Sequence, residues 1–237
     1  MSVEQNNGPS EAEMIETGEN NRENRVKMAK ELADKVEVSF DPRTYSEQMI
    51  QAYFSNQEFR EEMDKYLKNK TVIDLGCGII ADTFDEYGPF HIPWFVVSIA
   101  SQSGASKYIG VDKNPNVVCD PSFKKNYEDK GIEIEVKGGE EGDMLVFLSE
   151  QENDSANIII NGIDRSIIDP SISANREYLE RLANELSRVV GKNHVVIGMG
   201  AEMIFHNLED VSMDTENMEH DGRKFSFVQI ATNKEEK

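Results

Sequence analysis

The sequence predicts an α/β protein organised around a doubly wound, mostly parallel sheet, and three observations predict it. Short apolar, β-branched runs end in an acid or a glycine: Val72-Ile73-Asp74, Tyr108-Ile109-Gly110-Val111-Asp112 and Ile158-Ile159-Ile160-Asn161-Gly162. Continuous runs of this kind mark strands buried on both faces. Between them lie segments with apolar residues at helical spacing, so strands and helices alternate. The first run enters Gly76-Cys77-Gly78, a turn whose backbone can approach a ligand with no Cβ in between. With 237 residues and 38% hydrophobic content, the chain has material for one sizeable core.

Taken in order, residues 1–21 are Glu, Asn and Ser with few apolar groups. They cannot bury enough surface to offset ordering entropy and are expected to form a disordered acidic tail. Residues 22–68 read as a helical extension. Within it Val26, Met28, Ala29, Leu32 and Val36 recur at approximately helical spacing. A second helical stretch is expected from Ser46 to Leu67, with Met49, Ile50, Tyr53, Phe54, Phe59, Met63 and Tyr66 as its apolar positions. These side chains could cover the sheet or roof a cleft above it. The α/β domain itself is expected over residues 69–233.

The spacing Gly76-x-Gly78-x-x-Ala81 satisfies the loose dinucleotide fingerprint, a weak signal by itself. Asp74, two residues ahead of the first glycine, narrows it. The stretch Val72-Ile73-Asp74-Leu75-Gly76-Cys77-Gly78 resembles the first motif of class I, Rossmann-like methyltransferases that use S-adenosyl-L-methionine. That resemblance implies that Gly76, Cys77 and Gly78 lie under the methionine part of the cofactor and that Asp74 helps hold it through hydrogen bonds. A nucleotide-binding unit should also bring a second strand ending in an acid, which can accept both ribose hydroxyls. Asp112 stands in that place. Its separation from Gly78 exceeds the usual ~20 residues, and an insertion over Ile79–Ile92, containing Asp82, Asp85, Glu86, Tyr87 and His91, accounts for the excess. The insertion reads either as a lid or acceptor-binding loop or as an irregular extension of the apolar helix Pro93–Gln102. Lys113 and Asn114 either contact the nucleoside or form an exposed turn.

Residues 131–137 alternate apolar and polar with period two, as a half-buried edge strand does. Gly142-Asp143-Met144 follows and resembles the family's third signature, which implies that Asp143 accepts from the adenine amino group while the backbone of Met144 meets the ring. Asp143 is equally a favoured N-cap for a helix from Met144 to Leu148. The resemblance further implies that Asn161 and Gly162, at the end of the fourth strand, border the methionine moiety and the acceptor pocket, with Asp164 just beyond. These residues do not form the Asn-Pro-Pro-aromatic motif of methyltransferases acting on adenine or glutamine amino groups, so those substrates lose weight. A helix capped by Ser173 carries Tyr178, Leu179, Leu182, Leu186 and Val189 and ends at Gly191. His194–Ile197 reads as a fifth strand, Lys224–Ala231 as a last, antiparallel one, and the acidic stretch Glu209–Gly222 as a mobile surface loop. The expected sheet order is 3-2-1-4-5 plus the C-terminal antiparallel strand.

The activity the resemblance implies is S-adenosylmethionine-dependent methyl transfer to a small molecule or a protein side chain. Methyl transfer from a sulfonium is an in-line displacement in which the cofactor carries the reactivity and the protein supplies positioning, worth about 7–11 kcal/mol. A general base is needed only where the acceptor is protonated, and His91, Tyr87, Asp164 and His206 are the candidates by position. No metal site is assigned. Two other readings stay open: a methyltransferase-like binding or regulatory module without turnover, and a nicotinamide-dinucleotide-dependent oxidoreductase. The latter explains Gly76, Gly78 and Asp112 but has no need of Asp74 or of the Gly142-Asp143 step. A formal net charge of −20 and a pI near 4.6 repel a phosphate backbone and argue against a nucleic-acid substrate. Cys77 and Cys119, the two cysteines, give no disulfide framework and fit a reducing compartment. No apolar run approaches the ~18 residues of a membrane span, so a soluble, cytoplasmic protein is expected.

Overall fold

The computed structural model describes residues 21–31, 46–77, 95–160 (116, 118 and 120 aside), 176–199, 201–205 and 212–231. The acidic tail up to residue 20, the insertion 79–92 and the Ser173 cap lie outside these residues. Chain order runs through helices α1 (residues 21–31), α2 (Ser46–Ser55) and α3 (Gln57–Leu67), then β1 (Thr71–Leu75), α4 (Phe95–Gln102), β2 (Lys107–Asp112), α5 (Pro121–Glu128) and β3 (Glu133–Gly138). A 3-10 turn, Gly139–Gly142, leads to α6 (Met144–Glu150), β4 (Asn157–Ile160), α7 (Arg176–Val190), β5 (Val196–Gly198) and α8 (Ala201–Ile204). The described chain closes on a hairpin of β6 (Ser212–His220) and β7 (Arg223–Ala231).

All seven strands join one sheet in the order β3-β2-β1-β4-β5-β7-β6. Strands β1 to β5 are parallel, β7 runs antiparallel to β5, and β6 pairs antiparallel with β7. The first five strands therefore follow the expected order, and the last strand is antiparallel as expected. Period two along the strands divides the apolar residues between the two faces. Ile73, Leu75, Ile109, Val111, Ile158 and Ile160 enter one core with α6, α7 and Ala29 of α1. Val72, Tyr108, Ile134 and Ile159 enter the other, with side chains of α2, α3 and α4. Helices thus cover both faces, which is why the central strands are apolar without interruption. On α7 the residues Tyr178, Leu179, Leu182, Leu186 and Val189 form one buried stripe, each large side chain contributing about 1.5–3 kcal/mol on burial.

The structure departs from the sequence reading in three places. The stretch 46–67 is two helices, broken at Asn56. That residue takes an extended conformation and its side chain accepts the Phe59 N–H at 3.1 Å; a side chain that caps a new helix competes with continuing the old one. The break aims Phe59 at the sheet, where its ring lies 5.0 Å from that of Phe225 and 5.6 Å from that of Phe227.

The second departure is β6, which occupies most of the stretch read as a mobile loop. Asp221 and Gly222 adopt φ of +48° and +73°, the backbone of a two-residue hairpin turn whose twist matches the flanking strands. From that turn β6 pairs with β7 over its whole length. Met213 packs against one core and Met218 against the other, while the acidic residues stay at the surface. Charges on an outermost strand are compatible with pairing on its inner side and discourage it on the open side. Third, α5 and α8 were not expected; α5 has Pro121 at its first position, where a missing N–H is harmless. Among the described residues no helix is long and apolar enough to cross a membrane.

Candidate functional site

At the carboxyl edge of the sheet, β1, β2 and β3 lie side by side, each about 4.8 Å from its neighbour. Each strand end delivers a carboxylate: Asp74 from β1, Asp112 from β2 and Asp143 just after the 3-10 turn that follows β3. Beyond β1 the strand order reverses toward β4, and open α/β sheets bind ligands at such a point.

Asp74 is 1% exposed and sits in register with Gly110, so no side chain of β2 stands directly opposite it. Tyr108 pairs with Val72, two residues down the sheet, and its side chain spans the ~6.6 Å step to donate its hydroxyl to Asp74 Oδ2 at 2.7 Å. The second oxygen, Oδ1, is buried without a hydrogen-bond partner. Burial pushes the Asp74 carboxyl up to about 7; the Tyr108 bond acts against that rise and the negative charge of Asp112 adds to it. The Cys77 thiol is pushed well up, chiefly by burial and then by Asp74 and Asp112, so it stays protonated and is no nucleophile. Burial and Asp74 likewise push up the Tyr108 hydroxyl, which keeps it a donor.

The turn after β1 is stitched to β2. Gly76 has φ of +76°, in the left-handed region where a side chain is disfavoured. Its N–H and that of Cys77 both donate to the Val111 carbonyl, at 2.8 and 3.2 Å. Asp112 follows immediately and is nearly buried; its Oδ1 accepts the Asn114 N–H at 2.8 Å, a local turn that fixes the carboxylate. Gly142 makes the third approach possible. A Cβ there would fall 1.9 Å from the Asp112 carbonyl oxygen and 2.6 Å from that of Lys137, so only glycine lets the 3-10 turn lie against the end of β2. Asp143 then caps α6, its Oδ1 accepting from the N–H groups of Leu145 and Val146 at 3.0 and 3.2 Å. Its Oδ2 faces Lys113 Nζ at 3.4 Å. Met144 packs, partly buried, against the first core.

Of the expected cofactor residues, Asp74, Gly76, Cys77, Asp112, Lys113, Asp143 and Met144 come to this one edge. Gly78, Asn161 and Gly162 lie outside the described residues, as do the base candidates Tyr87, His91, Asp164 and His206. Tyr108 was missed. Its only trace in the sequence is the period-two series Tyr108, Gly110, Asp112, which puts it on the same face of β2 as the strand-end acid. Two surface depressions lie elsewhere: one of about 580 Å³ beside Ser55, Glu58, Glu61 and His220, and one of about 320 Å³ beside Ser98, Tyr127 and Lys130. Neither is lined by the row of acids, so the site is defined by the strand ends and their charge.

Three carboxylates with one lysine favour a ligand that offers cationic and hydroxyl donors and disfavour an anionic one. No protein-family model matches the sequence, and no curated protein matches it.

Proposed function

We propose that the chain is an S-adenosylmethionine-dependent methyltransferase with a Rossmann-like fold, acting on a small molecule or a protein side chain. The observation that carries this reading is the buried, unpartnered Oδ1 of Asp74 beside the glycine turn, one strand from Asp112. A buried acceptor left without a donor costs about 1–3 kcal/mol, and more when it is charged. An ammonium group removes that penalty, and the amino-acid end of S-adenosylmethionine carries one. In this reading the backbone of Gly76 and Cys77 underlies that end, Asp112 accepts the ribose hydroxyls, and Asp143 Oδ2 with Met144 borders the adenine. When bound, the cofactor supplies an electrophilic methyl group on a sulfonium; the residues of the chain hold and orient it. A nicotinamide dinucleotide would bring a pyrophosphate to the same turn, where Asp74 and Asp112 repel it, so the oxidoreductase reading is the weaker one.

Calorimetric titration of S-adenosylmethionine and S-adenosylhomocysteine into the wild type and into Asp112→Ala tests the proposal. Micromolar binding of both ligands is expected, weakened at least about tenfold in the variant, as loss of charge-assisted hydrogen bonds predicts. Absence of binding to the folded wild type, or binding of a nicotinamide dinucleotide in its place, would sink it.

A further inference from the structure

The ring of Tyr108 is wholly buried in β2, where a phenylalanine would fill the same space, so packing does not account for its hydroxyl. Among the described residues that hydroxyl makes one short bond, 2.7 Å to Asp74 Oδ2, with two consequences for the carboxylate. It occupies one oxygen, leaving the buried, unpartnered Oδ1 as the one acceptor of the carboxylate still to be satisfied. It also fixes the carboxylate plane relative to the Gly76 turn, while Gly110, in register with Asp74, keeps the adjoining position free of side chain. We propose that Tyr108 is a positioning residue for ligand recognition, holding Asp74 as a one-acceptor receptor for the ammonium group of an amino-acid-bearing ligand. The identity of that ligand rests on the methyltransferase reading.

The electrical surroundings make the role measurable. Among the described residues, Tyr108 and Asp112, both on β2, are the groups that act on Asp74. The Cys77 thiol lies beside it and stays protonated, and Cys119 acts on Cys77 and Tyr108. Helix α4 brings only uncharged side chains, and no charged group of α2 or α3 acts on the carboxyl. The Tyr108 bond favours the ionised form; without it Asp74 keeps its proton to higher pH. A rise of one pH unit from the midpoint of about 7 lowers the ionised fraction about fivefold at pH 7 but less than twofold at pH 8.5.

The test is calorimetric binding of S-adenosylhomocysteine and of 5′-methylthioadenosine, which lacks the amino-acid portion, to full-length wild type, Tyr108→Phe and Asp74→Asn at pH 7 and 8.5, with thermal melts to verify folding. For Tyr108→Phe the expected result, for a rise of one pH unit, is a loss of S-adenosylhomocysteine affinity of about fivefold at pH 7 that shrinks below about twofold at pH 8.5, with 5′-methylthioadenosine unchanged at both. Asp74→Asn, which cannot ionise, should bind S-adenosylhomocysteine weakly at both pH values. If Tyr108→Phe binds S-adenosylhomocysteine like the wild type at pH 7, loses it equally at both pH values, or loses 5′-methylthioadenosine in step, the hydroxyl has no positioning role and the inference falls while the cofactor site stands. If neither ligand binds the folded wild type, the methyltransferase reading fails and takes the inference with it.

Discussion

Replacing Asp74 with asparagine should stabilise the ligand-free fold at pH 8 and not at pH 5. The folded carboxyl is raised from 3.8 to about 7, so the folded state holds this proton more tightly than the unfolded chain. The sign follows from linkage: between about pH 4 and 7 the unfolded chain has released the proton and the folded one has not, and stability falls as pH rises. Above about pH 7 the loss is complete, amounting to about 4 kcal/mol. Asparagine carries none of this charge and can still accept the Tyr108 hydroxyl. Its amide nitrogen, however, takes the place of the unpartnered Oδ1 and costs about 1–3 kcal/mol. The balance is a gain of about 1–3 kcal/mol at pH 8 and no gain, or a small loss, at pH 5. Urea unfolding of both proteins at pH 5, 6.5 and 8 reads the difference directly, since the other titrating groups are common to both. A variant less stable than wild type by the same amount at all three pH values would refute the reasoning, because Asp74 would then carry no burial penalty.

Two further substitutions probe how the fold and the site are held. The Arg188 guanidinium bonds the carboxylate of buried Glu185 at 2.8 Å, the carbonyls of Leu148 and Gln151 at 2.6 Å each, and Asn153 Oδ1 at 2.9 Å. Arg188→Ala removes one of the two described ion pairs of Glu185, leaving Arg181 at 3.0 Å and the more distant charge of Arg25, and should lower stability by about 3 kcal/mol in urea unfolding; a loss below about 1 kcal/mol would mean the network is no more than a surface ion pair. Gly142→Ala puts a Cβ where the Asp112 carbonyl stands and should lose about 1–3 kcal/mol of stability together with, on the proposed methyltransferase reading, S-adenosylhomocysteine affinity measured by calorimetry. Unchanged stability and binding would deny that the 3-10 turn is pressed against β2.

What was legible in the sequence follows from where each residue's information lies. Strands β1, β2 and β4 were readable because both their faces are packed, which leaves continuous apolar runs that no solvated element shows. The acids Asp74, Asp112 and Asp143 were readable for a related reason: each stands at a strand end or helix start, a place marked along the chain. Strand β6 was not, because Asp, Glu and Asn are poor strand formers and its conformation comes from pairing with β7 across the Asp221-Gly222 turn. That dipeptide is a hairpin signal lying inside a charged stretch that reads as solvated. The break at Asn56 has the same character, one capping side chain inside an otherwise helical pattern. Tyr108 is the clearest case: its partnership with Asp74 exists only once β1 and β2 pair in the register Val72 with Tyr108 and Asp74 with Gly110, and nothing local to either residue announces it.

The same register explains why an acid at this position is compatible with a stable sheet. A carboxylate buried at a strand end, with Asp112 one strand away, would be tolerated poorly if both its oxygens lacked donors. Tyr108 satisfies one, and Gly110 keeps side-chain bulk away from the carboxylate. What is left is a residual penalty concentrated on a single atom, Oδ1. A ligand that brings a positive donor to that atom recovers most of what the fold alone forgoes, an uncharged donor recovers less, and an anionic ligand recovers nothing. An asparagine in the same place would favour the ligand-free fold at neutral pH and remove that discrimination, so on the proposed methyltransferase reading the feature that weakens the sheet is the one that makes its edge selective.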